Sequence, residues 1–97
     1  MRKEQAISII QQHQAALRTF HHVDSLAVFG SIVRDEAGPE SDIDVLVAFD
    51  CPVGLFELAA VQGYLESILG CKVDLGTPDA LRPELREYIL QETIRVI

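Results

Sequence analysis

The chain predicts an α+β domain with a small mixed sheet of three to four strands, and three observations carry that prediction. Short runs rich in strand formers recur at 26–29, 42–49 and 71–75, with 94–97 as a fourth. Longer runs between them repeat apolar residues at spacings near three, four and seven, which marks helices with one apolar stripe. An apolar content of 48% over 97 residues is enough for one core, and the whole of 1–97 reads as a single domain.

The first helix is expected from Lys3 to about Phe20, with Ala6, Ile7, Ile10, Ala16 and Leu17 on its stripe. After the polar break at 21–25 the first strand, Leu26 to Phe29, ends at Gly30, whose backbone freedom suits a sharp strand-to-helix turn. Ser31 then stands where a helix N-cap belongs. The link 36–40 contains Gly38-Pro39, and the second strand follows from Asp42 to Phe49. Lying antiparallel, the two strands bring the end of the first to the start of the second, so Gly30, Ser31, Asp42 and Asp44 share one edge of the sheet.

Leu55, Leu58, Ala59, Gln62, Leu65, Ile68 and Leu69 mark the next helix, stopped by Gly70. A third strand from Cys71 to Leu75 carries Asp74 between Val73 and Leu75. Pro83 opens a further helix that runs to Gln91, and Ile94 to Ile97 returns as a short strand.

Fifteen acidic against eight basic side chains give a formal charge of -7. That balance repels a nucleic-acid backbone and fits a basic protein partner. Cys51 and Cys71 lack zinc-site spacing and are too few for a disulfide framework, so reduced thiols are expected. The N-terminal run is interrupted by Gln11, Gln12, His13 and Gln14; it has neither the apolar core of a signal peptide nor a membrane span, and a cytoplasmic location is expected.

The chemistry concentrates at two places. Asp42 and Asp44, two apart on a strand, project from one face while Ile43 turns to the other. Paired carboxylates destabilise a fold unless a cation neutralises them, and magnesium, which takes carboxylate and phosphate oxygens together, suits the pair. Asp74 is a third candidate, since an acid between apolar neighbours would be costly to bury without a partner. Two metals roughly 3.5 to 4 Å apart can clamp an in-line displacement at phosphorus, with Asp74 nearer the nucleophile and helping to take its proton. Gly30 and Ser31 offer a small phosphate cradle at a helix N-terminus. Arg34, one turn on, either pairs with phosphate or locks an acid of the neighbouring loop.

Taken singly, Gly-Ser before a helix is an ordinary cap and Asp-x-Asp is common on surfaces; it is their order and spacing that points to an enzyme of nucleoside triphosphates. His13, His21 and His22 read as solvated side chains, Tyr64 and Tyr88 as core or rim residues, and Glu84, Arg86, Glu87 and Gln91 as solvated helix faces.

Gly30-Ser31, ten residues, then Asp42-Ile43-Asp44, with Arg34, Val73-Asp74-Leu75 and Thr77-Pro78, resembles the minimal nucleotidyltransferases of the DNA polymerase β-like superfamily, including the MntA-type antitoxins paired with HEPN toxins. The family often has glycine after the arginine, where this chain has Asp35. The resemblance implies a polymerase β palm-like fold with helices packed mainly on one face of the sheet. It implies that Asp42, Asp44 and Asp74 hold two Mg2+ ions and that Gly30 and Ser31 hold ATP. It further implies transfer of AMP to a tyrosine of a HEPN-domain ribonuclease toxin in a tight hetero-oligomer, without nucleic acid or membrane. Larger relatives carry an added acceptor domain, for which these residues leave no room. Two alternatives stand beside this reading: an antitoxin that neutralises by occlusion alone, and a small-molecule nucleotidyltransferase completed by a partner subunit.

Overall fold

A computed structural model of the chain describes residues 1–34, 42–78 and 81–97. The elements are α1 (Lys3–Gln12), α2 (Gln14–His21), β1 (Val23–Phe29), a one-turn 3-10 helix (Gly30–Ile32), β2 (Ile43–Phe49), α3 (Leu55–Leu69), β3 (Val73–Gly76), α4 (Pro83–Gln91) and β4 (Ile94–Arg95). The sheet order is β3-β2-β1-β4, with β2 parallel to β3 and the other pairs antiparallel. The expected mixed sheet is therefore present, with four strands.

The expected helix from Lys3 to Phe20 is two helices meeting at His13. The His13 ring Nδ1 donates to the Ile9 carbonyl at 2.8 Å, taking an acceptor the helix would otherwise use, while the His13 amide bonds to the Ile10 carbonyl at 3.0 Å in a tighter turn. Apolar spacing continues across the break, with Ala6, Ile10 and Leu17 all buried. Periodicity alone could not reveal it.

Val23, Leu26 and Val28 of β1 and Ile43, Val45 and Val47 of β2 form a continuous core with α1, α2 and α3. The core side of α3 is Val61, Leu65 and Leu69, spaced by four. Here the structure corrects the expected stripe: Leu55 is 83% exposed and Ala59 is exposed, whereas Val61, absent from that stripe, is fully buried. Gly70 ends α3 at φ +71, as its position suggested.

The other sheet face is only partly covered. Pro78, Leu90 and Thr93 help line a shallow hollow over Leu46 and Ala48, and α4 has no buried residue. The chain end is tied down by Val96 and Ile97, whose amides both donate to the Leu26 carbonyl, at 2.8 and 3.1 Å. Among the described residues no helix is long and apolar enough to cross a membrane.

Candidate active site

The ladder between β1 and β2 sets Phe29 opposite Asp44, and the parallel ladder sets Asp44 opposite Asp74. Residues opposed across adjacent strands point to the same face. Ile43 and Val45 are buried on the helix side, so Asp44 emerges on the other face, with Asp74 beside it.

Gly30 follows Phe29 directly and lies against Asp44. It adopts φ +78, and a Cβ there would collide with the Asp44 carboxylate oxygen and come within 3.2 Å of its Cγ. Both facts require glycine. From the sequence Gly30 is expected to admit phosphate; the structure adds that it makes room for Asp44.

Burial raises the Asp44 pKa most, and the neighbouring Asp74 and then Asp42 raise it further, against a smaller lowering by Arg34. A partly buried carboxyl pressed by two others favours a cation. Asp42 is exposed and lies just before β2, at the position from which it acts on Asp44. Asp74 is exposed as well, so the burial cost expected for it does not arise. Among the described residues, the three aspartates do not form a set whose ligand atoms all lie within 4.8 Å of one another, as His22, Asp50 and Cys51 do. Their oxygen donors fit a hard divalent ion of the magnesium type, with Asp44 and Asp74 as the closer pair.

Ser31 lies inside the 3-10 turn rather than at the cap of a longer helix; Phe29 is the cap residue, and the Val33 amide bonds back to the Gly30 carbonyl at 3.1 Å. Three residues provide little helix dipole. The link 36–40, like Asp35 and Ser41, lies outside the described residues. Arg34 pairs with Glu92 at 2.7 Å, which joins the turn to the C-terminal end of α4.

Sequence reasoning missed the supports of Asp74. The Gln62 amide donates to the Val73 carbonyl at 2.9 Å, and the Val73 amide donates to Glu66 at 3.0 Å. Gln62 and Glu66, one turn apart on α3, thus hold both backbone groups of the residue before Asp74. Their spacing of four was the available signal. His13 and His21 are half-buried rather than solvated, packing on Tyr64 with ring centroids 5.8 and 5.0 Å away. Cys51 and Cys71 are free thiols.

Residues 10–96 match the nucleotidyltransferase domain family. The chain is 37% identical over 93 residues to protein adenylyltransferase MntA of Thermococcus cleftensis, covering 96% of this chain and 94% of that protein. A solved structure described as a minimal nucleotidyltransferase superposes with a TM-score of 0.80 at 36% identity, covering 97% of this chain and 95% of the other. A toxin-antitoxin crystal structure with AMP-PNP shares the fold, at a TM-score of 0.72 and 18% identity over 90% of this chain and 72% of that one. With the family match spanning nearly its whole length and close homology to an MntA protein adenylyltransferase, the chain belongs to the nucleotidyltransferase domain family and is an enzyme that transfers nucleotides.

Proposed function

We propose that this nucleotidyltransferase is an antitoxin that moves AMP from ATP to a tyrosine hydroxyl of a HEPN-domain ribonuclease toxin and thereby silences it. The single observation that carries the reading is the seating of Asp44 under Gly30 with Asp74 alongside. Homology to an MntA protein adenylyltransferase supports protein as the acceptor.

In this reading the tyrosine oxygen forms a bond to the α-phosphorus as the α–β bridging bond breaks, and pyrophosphate leaves with the bonding electrons. The hydroxyl proton passes to Asp74, the exposed acid of the pair. Asp42, Asp44 and Asp74 would hold two magnesium ions, which when bound neutralise triphosphate charge and lower the pKa of the attacking hydroxyl. Gly30 and Ser31 would lie along the phosphates, and Arg34 would turn its planar fork to them from Glu92.

The test is the intact mass of the partner toxin after incubation with this chain, ATP and magnesium. One or more adenylyl groups on the toxin, absent with Asp44→Asn, is the expected result; an unmodified toxin under all conditions contradicts the proposal. A second reading, neutralisation by occlusion, is favoured by the exposed Leu85 and Tyr88 on the unburied α4. It predicts that Asp44→Ala still protects cells from the toxin.

A further inference from the structure

A second cluster of potential ligands lies at the opposite end of the β1–β2 pair from Asp44. His22 precedes β1, and Asp50 and Cys51 follow β2. The ladder pairs Val23 with Phe49 at that end and Phe29 with Asp44 at the other. Five residue steps along β2, from Asp44 to Phe49, at about 3.3 Å separate the ends by roughly 17 Å, so the cluster is independent of the triphosphate site.

Backbone structure fixes the positions of these residues. The Asp50 amide donates to the His22 carbonyl at 2.9 Å, which extends the ladder by one pair. His22 closes α2 in the left-handed region, φ 59 and ψ 28, and is the one non-glycine with positive φ among the described residues. Glycine is the common choice at that helix-end position, and a side chain held there is a local cost. His22 Nδ1 lies 3.8 Å from Asp50 Oδ1, and the ligand atoms of His22, Asp50 and Cys51 lie within 4.8 Å of one another. All three residues are exposed.

We propose that His22, Asp50 and Cys51 form a zinc site with three protein ligands and a fourth position open to water or to a side chain of a bound protein. Tetrahedral zinc with these donors places ligand atoms about 3.3 to 3.7 Å apart, so the side chains need to close by roughly 1 Å. Their exposure lets rotation of the side chains supply that movement. Imidazole nitrogen and thiolate sulfur select zinc over magnesium, so the two ends of the sheet take different ions. His22 and Asp50 are held by the ladder, and Cys51 follows Asp50 directly in the chain.

Cobalt(II), added to the reduced protein with excess magnesium present, reads the site through the sulfur-to-cobalt charge-transfer band. The expected result is one cobalt per chain with that band, displaced by one equivalent of zinc. Cys51→Ser abolishes the band, and His22→Asn, which keeps a residue tolerant of the left-handed backbone, weakens binding about tenfold or more, as does Asp50→Asn. Cys71→Ser leaves the titration unchanged. Absence of the band in the wild type, its survival in Cys51→Ser, unchanged affinity in both His22→Asn and Asp50→Asn, or one metal per two chains with dimerisation would overturn the proposal.

Discussion

At the residue scale, Gly30 and Asp44 act as one unit. Gly30→Ala forces a Cβ into the Asp44 carboxylate and strains a positive-φ backbone. The backbone part alone is worth about 1 to 2 kcal/mol, so thermal melts should fall by roughly 4 to 8 °C per kcal/mol, with nucleotidyl transfer lost beyond what that destabilisation explains. Asp44 also makes a pH prediction. Its pKa is raised from the ordinary 3.8, so the folded state binds this proton more tightly than the unfolded chain does. Stability from this group is full below 3.8 and is lost as pH rises through the raised folded value. In a chelator, Asp44→Asn should therefore melt higher than the wild type at neutral pH, with the gap closing below pH 3.8. Arg34 and Glu92 give a third prediction. Their pair is substantially exposed and stabilises little; Glu92→Gln should leave the melting temperature nearly unchanged while tightening nucleotide binding measured by calorimetry, because a carboxylate competing for Arg34 is removed. The outward face of Asp44 was legible in the sequence, as was the special backbone of Gly30, whereas Asp42 was expected on the strand and lies just before it. The Arg34–Glu92 pair was not, since its partners are 58 positions apart and no local pattern links them.

At the element scale, β3 depends on α3 for its placement. Glu66→Ala removes the acceptor for the Val73 amide and Gln62→Ala the donor to its carbonyl. Each loss is worth about 1 kcal/mol. The expected kinetic result is a drop in kcat larger than any change in KM for ATP, with Glu66→Gln restoring the rate because its side-chain oxygen still accepts. A purely structural role predicts equal loss in both Glu66 variants and no kinetic split. The antiparallel pairing of β1 and β2 could be read from the alternation of apolar runs with turn residues, whereas the parallel place of β3 beside β2 could not; Pro83 and Gly70 marked helix ends correctly. The break at His13 escaped because a ring nitrogen, not a proline or glycine, interrupts the helix. The first turns of α3 escaped for a different reason. Leu55 and Phe56 are apolar and yet exposed, and hydrophobic periodicity takes burial for granted.

At the scale of the whole molecule, one sheet face is closed by α1, α2 and α3 while the other carries the acids beside a lightly packed α4. That asymmetry leaves the reactive face open to a second protein. With a net charge of -7, the proposed association with a basic protein partner should slow as ionic strength rises, since screening weakens long-range attraction. Leu85, Tyr88 and Leu90, 47%, 61% and 43% exposed, are the large apolar side chains that α4 offers to the proposed partner, and Tyr88→Ala should speed its dissociation measured by surface plasmon resonance without altering ATP binding. In the proposed function the carboxylates beside Gly30 hold ATP through magnesium. Calorimetric titration of a non-hydrolysable ATP analogue tests it most directly. Binding that requires magnesium and disappears in Asp44→Asn is the predicted result, whereas equal binding without magnesium or in the variant would contradict it.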